Sequence, residues 1–130
     1  MTDTSPLRRF QKNLNGGLIA LVLLAILDEA KEDLYGTEIA ALIDDADDGP
    51  PLFHKGSIYP VLRNLARQKW LTSRIVPSYS GPARRYYAIT AAGREGLREW
   101  RRLWRESRDF VEELDWRREQ LVGADLKLPG

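Results

Sequence analysis

The sequence has no cysteine and only one histidine in 130 residues. Without thiols it can form no disulfide, thiolate metal site or cysteine nucleophile, which fits a reducing cytoplasm. His54 stands without a serine-hydrolase elbow, paired catalytic carboxylates or a Gly-rich phosphate loop. The chain therefore reads as a non-enzyme that needs no cofactor. Its longest apolar run, Leu18 to Leu27, has ten residues, against about 20 for a membrane span, so it reads as a buried helix. The first ten residues are polar and mixed, unlike a secretory signal. Acidic residues are missing altogether between Phe53 and Arg94, where eight Lys and Arg occur.

That last absence gives the sequence its main functional signal. Residues 1–52 carry four basic and ten acidic side chains (net −6), residues 53–94 eight and none (+8), and residues 95–130 eight and nine (−1), so the whole-chain charge of +1 conceals a purely basic block. A near-neutral protein with one such block can bind a polyanion locally. An apolar fraction of 43% supports one compact domain with a real core. Arg outnumbers Lys by 15 to 5, a composition common in GC-rich bacterial genomes.

Along the chain, Met1 to Asn15 reads as a mobile or weakly helical arm. Helix one spans about Gly17 to Ala30 and is apolar nearly all round. Helix two covers Tyr35 to Ile43, with Glu38 in its first turn, where the dipole favours a negative charge. Ile39, Leu42 and Ile43 share its apolar face. The acidic Pro-Gly loop Asp44 to Pro51 ends it. A calcium reading of that loop fails, because Ala46 breaks the alternation and Lys55 stands where the closing Glu is needed.

Helix three spans about Lys55 to Lys69, with Ile58, Val61, Leu62 and Leu65 as its apolar stripe. Pro60 is placed in the first turn, where its missing N–H does no harm. Leu71 to Val76 and Ala83 to Thr90 read as antiparallel strands joined by a turn at Pro77 to Pro82. Thr90 is a natural N-cap for a last helix reaching about Leu121. The order is helix, helix, helix, strand, strand, long helix. The fold class is mainly α with a two-stranded β wing: a winged helix-turn-helix with a long C-terminal dimerisation helix. The divisions are an arm (1–15), a DNA-binding domain (16–90), a dimerisation helix (91–121) and a flexible tail (122–130).

In a helix-turn-helix the second helix enters the major groove, which here is helix three. Lys55, Ser57, Tyr59, Pro60, Arg63, Asn64 and Arg67 are its candidate contacts. Arg can pair with guanine edges or phosphates, Asn can read adenine, and Tyr and Ser commonly hold phosphates. Arg84 and Arg85 follow the turn and would grip the backbone or a narrow minor groove. Strand alternation sends them to opposite faces, as it does Tyr86 and Tyr87. On the last helix Leu97, Trp100, Trp104, Val111 and Leu114 recur at three- and four-residue spacings, with Leu103 and Phe110 alongside. Such a seam implies a partner helix, most simply a second copy. The two tryptophans could instead line a cavity for a flat apolar ligand.

These residues resemble the PadR family of bacterial transcriptional regulators. The matching pieces are Leu18–Leu27, the run Tyr35-Gly36-Thr37-Glu38-Ile39-Ala40, the helix Gly56-Ser57-Ile58-Tyr59-Pro60-Val61-Leu62-Arg63-Asn64-Leu65, and the wing from Gly81-Pro82-Ala83-Arg84-Arg85-Tyr86-Tyr87 to Gly93. Together they cover about Gly16 to Leu114. The resemblance implies a cytoplasmic homodimer that represses a nearby operon from a near-palindromic operator. It also implies a small aromatic or apolar effector, with Trp104 in the region that lines an interface pore in small members with one terminal helix. Family members usually carry Gly just after the recognition helix, for a left-handed cap; Trp70 is read at that position. The rival readings are a ligand sensor or protein-interaction scaffold without specific DNA binding, and a small enzyme at the Trp site.

Overall fold

The computed structural model describes residues 5–46 and 55–123. Its elements are α1 (Pro6–Glu29), β1 (Leu34–Tyr35), α2 (Gly36–Ala46), α3 (Lys55–Arg67), β2 (Leu71–Val76), β3 (Arg84–Ile89) and α4 (Ala91–Gly123). The chain divides into two compact units, residues 1–97 and 98–130. His54 and most of the acidic loop after Ala46 lie outside the described residues, as do the first four residues and the tail beyond Gly123.

α1 starts well before the expected Gly17. Ser5 caps it by accepting from the Arg8 N–H at 3.2 Å, and Pro6 opens it. A serine cap followed by proline at the first helical position is a strong helix start. The helix therefore runs through Gly16 and Gly17, and the expected arm is helical from Pro6. At 24 residues α1 is long and apolar enough to cross a membrane by length and composition. Its Ile19, Leu23, Leu24 and Leu27 are buried where it packs on α3 and β3.

Tyr35 belongs to a strand rather than to helix two. β1 pairs with β3, Leu34 opposite Tyr87 and Tyr35 opposite Tyr86, giving a three-stranded sheet of order β1-β3-β2 in place of the expected two strands. The Tyr35 N–H donates to Glu38 Oε1 at 3.2 Å. Glu38 thus reaches back to the cap residue in the manner of a capping box, in addition to suiting the dipole. In α2, Ile39, Ala40 and Ile43 are buried while Leu42 is 46% exposed, so the core face turns onto Ala40 and leaves Leu42 in solvent.

α3 buries Ile58, Leu62 and Leu65. Pro60 sits inside the helix rather than in its first turn, so its ring removes a donor for the Gly56 carbonyl. The helix ends on Lys69, not Trp70. Lys69 has φ 67°; its N–H meets the Ala66 carbonyl and the Trp70 N–H meets the Leu65 carbonyl, both at 3.0 Å. That pair of bonds is a Schellman cap with Lys69 in the left-handed position.

β2 and β3 pair from Leu71 opposite Ile89 to Val76 opposite Arg84. Tyr87 and Ile89 are buried on one face of β3. Thr90 caps α4 as expected: its Oγ1 accepts from the Gly93 N–H at 3.0 Å and lies 2.8 Å from the Lys69 carbonyl oxygen. One threonine thereby joins the end of α3 to the start of α4.

Candidate nucleic-acid interface

The buried stripe of α3 fixes what the helix shows on its other side. Ser57, Tyr59, Pro60, Arg63, Asn64 and Arg67 are all exposed, and Lys55 opens the helix. No acidic residue interrupts this face. Tyr59 is the most constrained of the set. Its ring lies against Gly36 at the start of α2, where a methyl group would overlap it. The absence of a Cβ at Gly36 is what lets the ring settle there.

Across from α3, the wing completes a cleft of about 570 Å³. Tyr35, Gly36, Thr37, Tyr59 and Arg63 line one part of it, and Ser78, Ser80 and the run from Gly81 to Arg85 line the rest. The structure thus brings the predicted helix residues Tyr59 and Arg63 together with both predicted wing arginines.

The arginines differ in what holds them. The Arg84 guanidinium carbon stands 4.6 Å from the Tyr35 ring centroid. Arg85 Nη1 donates to Ser73 Oγ at 3.2 Å. Arg74 is tied to Asp33, Nε to Oδ2, at 2.9 Å, and Arg94 to Asp28 at 3.2 Å. Arg63, Arg67, Arg84 and Arg85 form no ion pair among the described residues. Asp28 and Asp33 therefore offset two arginines of the basic block and leave those at the cleft uncompensated. A surface of this kind draws in a polyanion.

Three residues at the site were not foreseen from the sequence. Tyr35 and Thr37 line the cleft from β1 and α2, whereas the sequence reads them only as part of a helix. Tyr79 is fully exposed in the wing turn, and its flanking serines are the one signal that it has no core to enter.

The proposed seam on α4 divides in two. Leu97 is 1% exposed, so it belongs to the core of the first unit and is not available to a partner. Trp100 is half-buried. Leu103, Trp104, Phe110, Val111 and Leu114 are exposed and recur at helical spacing on one face.

The sequence profile of the transcriptional regulator PadR-like family matches residues 23–99. A solved PadR family transcriptional regulator from Eggerthella lenta is 27% identical, with a TM-score of 0.67, covering 83% of this chain and 90% of that one. A PadR-like transcriptional regulator from Bacillus cereus is 29% identical, with a TM-score of 0.63, covering 78% and 95%. An uncharacterized protein of Lysinibacillus sphaericus is 25% identical over 99 residues, 76% of this chain and 88% of its own length. The family match takes in α2, α3, the wing and the start of α4, so the chain belongs to the PadR-like family of transcriptional regulators.

Proposed function

We propose that this DNA-binding regulator acts in the cytoplasm as a homodimeric repressor that responds to a small aromatic or apolar effector. The observation that carries the DNA-contact reading is the exposed, uncompensated cationic face of α3, facing the wing arginines across one cleft. Two copies of α3 enter successive major grooves of a near-palindrome, about one helical turn apart. Arg63 and Asn64 are the candidates for base edges, while Ser57, Tyr59 and Arg67 suit phosphates. Lys55 and Pro60 stand at the same end of the helix. Arg84 and Arg85 hold the backbone beside it.

The exposed apolar face of α4 supports the dimer, because a monomer gains nothing from leaving it in water. Trp100 and Trp104 are the residues an aromatic effector would meet. An effector there relieves repression only by preferring a dimer geometry in which the two recognition helices no longer match the grooves. No residue is assigned a catalytic role.

Binding to DNA from upstream of the protein's own gene, followed by anisotropy across a salt series, tests this reading. The wild type should bind tightly and lose affinity steeply with salt, through counterion release. Arg84→Ala with Arg85→Ala should weaken binding on every sequence and lower the log–log salt slope by about two. Unchanged affinity in the double variant would remove the wing from the interface.

A further inference from the structure

Four side chains stand in a row on the sheet face opposite the buried Tyr87 and Ile89. Arg74 of β2 lies 5.0 Å from the Tyr86 ring centroid. Tyr86 of β3 meets Tyr35 of β1 edge-on, with centroids 5.3 Å apart and planes at 67°. Arg84 lies over the other ring, 4.6 Å from the Tyr35 centroid. Register produces the row, because Tyr86 sits opposite both Tyr35 and Arg74. Alternation then puts Arg84, two residues back, on the same face.

The two ends of the row are not equivalent. Arg74 is committed to Asp33. Arg84 makes no hydrogen bond or ion pair among the described residues, and it borders the cleft shared with Arg63. A guanidinium stacked on an aromatic ring is held by its flat face, and its five N–H donors still point outward in the plane. Stacking restricts a long side chain without using any donor. The donor edge then stays available for a bidentate contact with a phosphate oxygen pair.

We propose that Tyr35 is a positioning residue for recognition of the DNA backbone. Its ring holds Arg84 so that the guanidinium edge meets a phosphate beside α3. The assignment rests on reading the cleft as the DNA interface. A ring that only braced the edge of the sheet would affect folding and leave the contribution of Arg84 to binding unchanged.

The test uses the full-length protein and a labelled mixed-sequence DNA duplex, since a backbone contact is independent of sequence. Anisotropy is measured across a salt series. Tyr35→Phe keeps the ring and should bind as the wild type does. Tyr35→Leu should bind about two- to fivefold more weakly, the fold-change matching a partly exposed cation–π contact. Arg84→Ala should lower the log–log salt slope by about one, and adding Tyr35→Leu to it should cost nothing more. Arg84→Lys keeps the charge but has no flat face. It should retain the salt slope and still bind about two- to fivefold more weakly, a comparison that stands even if Tyr35→Leu does not fold. Additive losses in the Tyr35→Leu/Arg84→Ala pair, or full affinity in Arg84→Lys, would overturn the positioning role while leaving a DNA-binding protein. Salt-independent or absent binding by the wild type would overturn the interface reading and this role with it.

Discussion

Lys69 closes α3 with φ at 67°, a conformation that brings a Cβ close to the neighbouring backbone. A lysine there costs on the order of 1 kcal/mol relative to glycine, which has no Cβ to accommodate. Its retention shows the strength of the surrounding bonds. The Schellman pair holds the turn from one side, and Thr90 Oγ1 holds the Lys69 carbonyl from the other. Lys69→Gly should therefore raise stability by about 0.5–1 kcal/mol, once the greater freedom of glycine in the unfolded chain is deducted. Lys69→Ala retains the Cβ and should change little. Urea denaturation of both variants checks this, and a glycine variant less stable than the alanine variant would refute the strain. The αL position itself was not readable from the sequence. Helix ends depend on where the last carbonyls find donors, and one residue of error moved the cap onto Trp70.

At the scale of elements, the corner between β2 and α4 is the tightest junction. Gly93 is buried in the first turn of α4. A methyl group there would overlap the Trp70 carbonyl oxygen and approach Ile89 Cγ1 to 2.8 Å. A backbone carbonyl cannot rotate away as a side chain can. Gly93→Ala should thus destabilise by about 1–3 kcal/mol through overpacking, despite the better helix propensity of alanine. Gly16→Ala, in a stretch of α1 with nothing within 4 Å, should instead stabilise by up to about 1 kcal/mol. Thermal melting of the two variants gives the sign of each, and two shifts in the same direction would sink the packing argument. What was legible in the sequence divides along similar lines. Leu71 to Val76, the buried stripe of α3 and the Thr90 cap each have a local signal: alternation, helical period, a hydroxyl before a helix. The exposed cations of α3 follow from the same period. β1 has no local signal, because two residues become a strand only when β3 pairs with them. The stacking of Arg84 on Tyr35 is hidden for that reason too. Leu42 and Leu97 were misplaced because periodicity gives a face but not what that face packs against.

At the scale of the whole molecule, the surface of α4 decides whether the protein works alone. Leu103 is 61% exposed, Phe110 63%, Val111 56%, Leu114 47% and Trp104 38%. Their spacing puts them on one side of the helix, with Ser107 the polar residue among them. α1 shows a second exposed series in Leu7, Phe10 and Leu14. If α4 pairs with its copy, Phe110→Glu places a charge in the seam, where it has no partner and must be desolvated. The variant should sediment as a monomer at concentrations where the wild type is a dimer. Its effect on DNA should depend on the target. A dimer on a near-palindrome gains from the second half-site at high effective concentration, and a monomer loses that gain. Affinity for the operator should therefore fall far more than affinity for mixed-sequence DNA at low salt, where each copy binds through phosphates alone. Leu97→Ala is the contrast: Leu97 is buried in the first unit, so truncation should cost about 2–5 kcal/mol of folding stability with no selective effect on assembly. A Phe110→Glu protein that stays dimeric would exclude the α4 seam as the interface. A monomeric one with undiminished operator affinity would show that recognition does not require two copies.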